Sequence, residues 1–326
     1  MKKLLALLSL SMLLTLIGIH RIAYVSSMIY DTEENDVDIE ETYDMSAFRN
    51  ATYYRKLNTW LKTYNYISLE EQTILISTFK NDNPNVDFVT SSDYINDVAS
   101  LANGEEITLE LNVSETGLYE IGFDFLMPEA YYTIPSVQIL INDASQYNEM
   151  DDLELEVMWE IVPLEEALRY NRYGNELLPK SESIHSWQKY YADDYNGYSV
   201  DNYKFLLNSG NNSITIRALN LPIYIGNLYV KGHESLIDYD TYLASTNDLP
   251  SDTEGENITI QGESFTTKND LEIKSSYYKE TAMTPYSYKN TVLNQLDGGS
   301  MSRGGTLVTY EFDVEKTGYY QIAFKA

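Results

Sequence analysis

Cysteine is absent from all 326 residues, histidine occurs three times, and Lys and Arg number 22 against 50 Asp and Glu. Without cysteine there is no disulfide framework, no thiolate chemistry, and no cysteine to carry a lipid anchor. An exported chain can dispense with disulfides when its domains bury enough surface, and this length allows two domains of ordinary size. The shortage of basic residues leaves a formal charge of −28. Such a surface cannot displace phosphate counterions, which excludes nucleic acid as a partner and disfavours an anionic lipid surface. Scarce histidine also limits catalysis: His20 borders an apolar run, and His185 and His233 stand 48 residues apart. No Gly-x-Ser-x-Gly elbow, His-Glu-x-x-His or phosphate-binding glycine loop occurs. Adjacent acids such as Asp151-Asp152 and Asp193-Asp194 are expected by composition, whereas glycoside hydrolysis needs carboxylates at defined separations across a cleft. No enzymatic activity is expected.

What is abundant is tyrosine, 30 residues against 9 Phe and 3 Trp. Tyrosine forms strands readily and suits half-exposed sheet faces and polar ligand surfaces. The chain also repeats itself 201 residues apart: Ile107–Phe125 reads ITLELNVSETGLYEIGFDF and Val308–Ala326 reads VTYEFDVEKTGYYQIAFKA, with eight of nineteen positions identical. In both copies apolar and polar residues alternate, Thr116-Gly117 or Thr317-Gly318 interrupts, and the alternation resumes. That pattern predicts a β-hairpin. The repeat is too long for a solenoid unit, so two related β domains in series are expected. The second copy stops in mid-strand, and a continuation is expected.

Lys2-Lys3 followed by the apolar run Leu4–Ile19 marks residues 1–27 as a targeting segment. Sixteen apolar residues fall short of the roughly 20 that span a bilayer, yet Ile22–Val25 extend the run, so signal peptide and uncleaved anchor both remain open. Either way the positive end stays inside and the rest is exported. Residues 28–45 form an acidic spacer, with eight carboxylates and no Lys or Arg between Asp31 and Asp44. Residues 46–66 predict a helix capped by Ser46, with Tyr53, Leu57, Trp60, Leu61 and Tyr64 at helical spacing for packing on the next domain. Short alternating strands follow over residues 67–234, beginning at Ile74-Leu75-Ile76 and including Leu153–Ile161, with a short helix expected at Leu164–Asn171. They close with Tyr203–Leu207, a turn at Asn208–Asn212, Ile214–Ala218 and Ile223–Val230. The fold class read from this is mainly β: tandem antiparallel β-sandwiches preceded by the export or anchor helix and one short helix. Residues 235–257 read as a linker, and 258–326 as the start of a second, incomplete sandwich opening at Ile258-Thr259-Ile260. Its missing strands would leave apolar faces and a sheet edge bare, so stable folding of that part is not expected.

Gly-x-Tyr-x-Ile after an alternating strand resembles the galactose-binding-like jelly roll of many carbohydrate-binding modules. A wider series is more specific: Asn171–Pro179, Trp187, Asp194–Tyr198, Tyr203–Leu207, Gly210–Ile214, Ile223–Leu228, then Leu293–Gly299. That order is similar to the region ahead of the solute-binding domain in long extracellular substrate-binding proteins of sugar ABC transporters, chiefly of Gram-positive bacteria. The resemblance covers about Ile67–Ala326. It implies a non-enzymatic accessory region at the bacterial cell surface. Carbohydrate would be its ligand and an ABC permease its partner through the C-terminal continuation. That family carries a lipoprotein cysteine; here Leu4–Val25 would supply the membrane anchorage. A carbohydrate-binding arm of a surface glycoside hydrolase and a structural adhesin stalk are the alternatives.

Asn81-Asp82-Asn83-Pro84-Asn85-Val86-Asp87 places oxygen ligands at alternate positions, as calcium loops do, but lacks the glycine and closing glutamate of such loops. It reads as a turn that forms without metal. No cofactor is expected, although the resemblance implies that a structural calcium could sit elsewhere. Between Ser186 and Tyr198 aromatic and polar residues interleave. Trp187, Tyr190 and Tyr191 are the candidate platform for stacking on sugar rings, with Asp194 and Asn196 accepting from hydroxyls. The competing reading has Trp187 plugging the core and the tyrosines covering a sheet.

Overall fold

The strands follow one another in short steps. In chain order the helices and strands are α1 (Tyr53–Trp60), β1 (Gln72–Ile74), β2 (Asp87–Thr90), β3 (Asp97–Leu101), β4 (Glu106–Val113), β5 (Gly117–Leu126) and β6 (Ser136–Ile141). Then come β7 (Leu153–Glu154), β8 (Trp159–Val162), β9 (Lys180–Ser183), β10 (Gln188–Tyr191), β11 (Phe205–Leu207), β12 (Gly210–Ala218) and β13 (Ile223–Lys231). The chain ends with α2 (Tyr239–Ser245), β14 (Thr267–Lys268), β15 (Ser275–Ser276), β16 (Gln295–Leu296) and β17 (Val308–Thr309). The computed structural model describes residues 51–325 apart from 130, 166, 167, 200, 235, 236 and 247–256. The targeting segment, the acidic spacer, Ser46 and the Leu249–Gly255 part of the linker lie outside the described residues.

The architecture is a mainly β, antiparallel, multi-sheet sandwich. One sheet runs β10-β5-β13-β3-β2, with β11 also on β5 and β1 also on β13; the other runs β4-β12-β6-β7. Alternate residues of each strand point inward. Ile121, Phe123 and Phe125 of β5 therefore meet Ile107 and Leu109 of β4 and Ile214 and Ile216 of β12 in one core. Each such side chain contributes roughly 1.5–3 kcal/mol when fully buried.

The alternation over Ile107–Phe125 is present, but the hairpin is not. β4 and β5 lie in different sheets, so the turn at Ser114–Thr116 crosses the sandwich. A buried face produces period-2 alternation whether the next strand returns alongside or opposite. The second crossing, at Asn208-Ser209, locks onto the first: Ser209 N donates to Thr116 Oγ1 at 2.8 Å and Ser209 Oγ to the Ser114 carbonyl at 2.8 Å.

α1 is shorter than the expected 46–66 helix. Its first residue, Tyr53, is buried beside Tyr147 and Tyr203, with ring centroids 5.0 and 4.4 Å away. Leu57 and Trp60 pack on the core, while Leu61 is exposed. The segment after α1 then clamps the ends of β5 and β13: Ile67 N donates to the Leu118 carbonyl, and His233 N to the Ile67 carbonyl at 3.0 Å. Gly232 is needed for this approach, since a Cβ there would lie 2.0 Å from the Ile67 carbonyl oxygen. Beneath the clamp Glu120 is buried with Lys204, whose Nζ donates to its Oε1 at 2.7 Å; Asn202 donates to Oε2 at 2.7 Å, and Lys231 and His233 lie 3.5 and 3.6 Å away.

Four local expectations are corrected. The described residues of 164–171 form no helix; the chain reverses instead, and Tyr170 bridges to Glu176. The long alternation of 153–161 is broken between β7 and β8, where Leu155 N donates to the Pro135 carbonyl. α2 sits in the expected linker, its first turn capped by Asp238 through Thr241 N. Ile258–Ile260 is not a strand.

The second segment joins the first module through a shared sheet, β17-β14-β8-β9. Asn269 Nδ2 donates to Glu156, Leu293 N to Glu176 Oε2 at 2.7 Å and Thr291 N to Asn175 Oδ1 at 2.9 Å. The second repeat copy contributes only β17; residues 310–325 form no strand. Leu111, Val113, Leu118, Tyr119, Ile121 and Phe123 are at most 8% exposed, whereas their counterparts Phe312, Val314, Tyr319, Tyr320, Ile322 and Phe324 are 41–90% exposed.

Burial alone would raise the Glu120 pKa, but the Lys204 and Asn202 hydrogen bonds and the Lys231 charge outweigh it and hold it below the usual carboxylate range. The ionised Glu120 therefore adds stability that is fully present above the unfolded carboxylate pKa and is lost as pH falls through the lower folded value. Lys204→Ala should destabilise the chain by about 3 kcal/mol near neutral pH, by stranding a buried charge. Urea unfolding should show that deficit shrinking in acid; an equal deficit at both pH values would contradict this account.

Candidate functional site

Strand alternation on β10 divides its residues between two faces. Tyr190 turns inward, 6% exposed, with Phe123 and Phe125 edge-on at 5.4 and 6.4 Å. Trp187, Lys189 and Tyr191 turn outward onto the open face of the seven-stranded sheet, where Trp187 and Tyr191 are half-buried and Lys189 is exposed. The neighbouring residue on β5 opposite Tyr191 is Gly122. A Cβ there would lie 2.8 Å from the Tyr191 ring, so the missing side chain lets that ring lie across β5.

The ring reaches Glu71, just before β1, and its hydroxyl donates to Glu71 Oε2 at 2.5 Å. Lys189 Nζ bonds Glu71 Oε1 at 2.5 Å and sits 3.8 Å above the Tyr229 ring of β13, while Lys231 Nζ sits 4.4 Å from the Tyr191 ring. Two strands thus exchange cation–π contacts over the strand between them. The Lys189 and Tyr191 hydrogen bonds hold Glu71 below the usual carboxylate range, and burial together with Glu71 raises Tyr191.

At the other end of the face, Asp124 Oδ2 accepts from Tyr94 Oη at 2.5 Å and from Tyr229 Oη at 2.6 Å. Tyr94 belongs to the loop between β2 and β3; its hydroxyl accepts from Asn227 N at 2.7 Å, and its ring lies 4.3 Å from that of Trp187. Gly226, in the irregularity of β13, leaves room for it: a Cβ would come within 2.5 Å of Tyr94 Oη. Burial and the Asp124 bond push Tyr229 up to about 12 and raise Tyr94 as well. Two buried polar atoms in this corner have no partner among the described residues, Trp187 Nε1 and Asn227 Oδ1.

The five residues singled out from sequence are therefore not gathered. Trp187 and Tyr191 share the open face. Tyr190 is a core residue, so its ring presents no stacking surface, because Phe123 and Phe125 claim the inward position beside it. Asp194 and Asn196 form a turn, with Asp194 accepting from Asn196 N and Ser199 N at 3.1 Å each. That turn receives the second segment: a Cβ on Gly304 would lie 2.1 Å from the Asn196 carbonyl oxygen, and Arg303 stacks 3.9 Å over Tyr195. In the Asn81–Asp87 turn, Asn83 binds the Thr108 backbone through both ends of its amide. Sequence reading missed Tyr94, Asp124 and Tyr229. The signal for Asp124 was a carboxylate between Phe123 and Phe125 in an alternating strand, which marks an outward position on a buried strand.

No family model matches the chain, and no curated protein does. Similar solved structures include a family 35 carbohydrate binding module from Clostridium thermocellum, with 15% identity over 49% of this chain and 97% of that one, TM-score 0.28. The C-terminal CBM6 of LamC, a marine laminarinase from Zobellia galactanivorans, shows 9% identity over 50% and 99%, TM-score 0.29. The GH26-CBM35 β-(1,4)-mannanase of Podospora anserina shows 12% identity over 52% and 29%, TM-score 0.31, so this chain covers less than a third of that enzyme. At these scores the likeness assigns neither ligand nor residue role.

Beside the Asp194 turn, burial of the carboxyl, followed by the charges of Glu156 and Asp194, pushes Asp193 up to about 6. A raised folded pKa means that ionising Asp193 opposes folding: the cost is absent below the unfolded pKa and complete above the folded one. The residue as a whole is exposed, which scales the effect to below about 1 kcal/mol. Asp193→Asn should raise the melting temperature at pH 7.5 and leave it unchanged at pH 3.5. A gain of the same size at both would show that its charge is not the cause.

Proposed function

We propose that the chain is a non-catalytic, glycan-holding accessory region of an extracellular substrate-binding protein that serves carbohydrate uptake by an ABC transporter. The observation that supports glycan holding most directly is the row Trp187, Lys189, Tyr191 on an open sheet face, flanked by Tyr94, Asp124 and Tyr229. Ring surfaces beside hydrogen-bonding groups suit sugars, whose C–H faces stack while their hydroxyls bond. The carboxylates of this face favour binding over catalysis, since Glu71, Glu120 and Asp124 are each held by lysine or tyrosine partners. The transporter context rests on the order of motifs from Asn171 to Gly299, with Leu4–Val25 holding the chain at the outer face of a bacterial membrane.

A second role, as a rigid spacer, is favoured by the shared sheet, because the docked second segment limits bending between the two parts.

Weak affinity is expected at so shallow a surface, millimolar to micromolar, or about 4–8 kcal/mol. Titrating cello-, manno-, xylo- and galacto-oligosaccharides into the exported chain by calorimetry should find binding that Trp187→Ala and Tyr191→Ala each weaken about tenfold. A chain that binds sugar equally well with both rings removed would move the site elsewhere, and one that binds none would leave the spacer role. Protease added to intact cells should cut the chain beyond Asp31; full protection beside cleaved surface controls would refute the surface location.

A further inference from the structure

The corner where Tyr94, Trp187, Asp124 and Asn227 meet is over-supplied with polar groups. Asp124 Oδ2 takes two phenolic hydroxyls at 2.5 and 2.6 Å, from side chains on two different elements. Within the same corner an indole N–H and an amide oxygen are buried without partners among the described residues. Native interiors seldom leave both a donor and an acceptor unpaired, and each one forfeits the hydration it had in water. Tyr94 links the unpaired groups: its ring lies against Trp187, and its hydroxyl accepts from the backbone of Asn227. It is carried on a loop rather than a strand, and its neighbour Ile95 is 99% exposed. The floor under its hydroxyl is Gly226, which has no side chain to fill the space when the tyrosine leaves.

The geometry points to a vicinal-diol subsite in which Asp124 is the central acceptor and Tyr94 the resident stand-in for the ligand. Two adjacent sugar hydroxyls would donate to Asp124, in place of Tyr94 Oη and alongside or in place of Tyr229 Oη. The lone pairs of those hydroxyls would accept from Trp187 Nε1–H, and a third hydroxyl of the same sugar would donate to Asn227 Oδ1, so one polyol would satisfy both unpaired atoms. The ligand class is a neutral sugar. A uronate would set its carboxylate against Asp124, and the nearby Lys189 already spends its charge on Glu71. This rests on the glycan-holding reading and adds the acceptor, the displaced group and the sugar chemistry to it.

The test uses the whole exported chain with ¹⁵N-labelled tryptophan, whose three indole N–H signals are separable and assigned with Trp187→Phe. Cellobiose, mannobiose, xylobiose and galactobiose are titrated singly, beside their fully O-methylated forms, which cannot donate. The expected result is a downfield shift of the Trp187 indole proton with at least one free disaccharide and none with the methylated ones. Asp124→Asn should weaken binding about tenfold, the loss of a charge-assisted hydrogen bond. Tyr94→Phe should tighten it several-fold, because the competing hydroxyl is gone while the ring remains. Sugar binding that leaves the Trp187 signal unmoved, with Tyr94→Phe neutral or weaker, overturns this subsite and leaves the glycan-holding reading standing. Absence of binding to every disaccharide overturns both. Should Asp124→Asn fail to fold, the wild-type indole shift and the Tyr94→Phe affinity decide the matter.

Discussion

β5 is paired along both edges, to β13 on one side and to β10 and β11 on the other, and most of the molecule takes its orientation from it. A strand bonded on both sides cannot rotate, so its side chains are committed to one face or the other. Ile121, Phe123 and Phe125 enter the core. Glu120, Gly122 and Asp124 are thereby placed on the outer face, where they serve three different ends. Glu120 anchors the clamp after α1, Gly122 yields space to the Tyr191 ring, and Asp124 collects hydroxyls from Tyr94 and Tyr229. A one-residue slip of β10 against β5 would exchange Tyr190 with its neighbours and bury Lys189 or Tyr191 instead.

Charge is managed unevenly in so acidic a chain. Exposed pairs such as Lys189 with Glu71 contribute little to stability, since water screens them. They do fix where the lysine heads sit, and so which ring faces are covered. Lys204 differs, because it and Glu120 are both withdrawn from water and neither can find solvent as a substitute. The pair specifies how the residues before β11 cross the end of β5. Lys231 and His233 close around the same carboxylate, and His233 N also donates to the Ile67 carbonyl, which ties the end of β13 to the segment after α1.

The two repeat copies show how far a pattern can carry. Both alternate, and both place aromatic residues at the same spacing. In the first copy β12 covers β4 while β13, β10 and β11 flank β5, and the apolar positions are buried. In the second, among the described residues only Val308-Thr309 pair with a strand, at Thr267-Lys268, and the equivalent apolar residues face solvent. Propensity and alternation prepare a strand, but ladder hydrogen bonds and burial come from partners distant in sequence.

Much of the sandwich was legible from period-2 alternation: the sheet-forming segments β4, β5, β6, β12 and β13, the mainly β class and the inward faces are local properties of the chain. The requirement that Tyr190 and Tyr191 face opposite ways was legible too, for the same reason. Which of them turned inward was not, because that depends on Phe123 and Phe125 across the ladder. Nor could alternation separate a hairpin from a crossing between sheets, or show that the Asp194–Asn196 turn would receive Gly304 and Gly305. The outer-face cluster draws Glu71, Tyr94, Asp124, Trp187 and Tyr229 from five separate stretches of chain. Sequence by itself determined which residues could lie on a sheet face; only the tertiary structure decided which of them meet, since antiparallel register across β10, β5 and β13 is set by long-range pairing and not by any local preference.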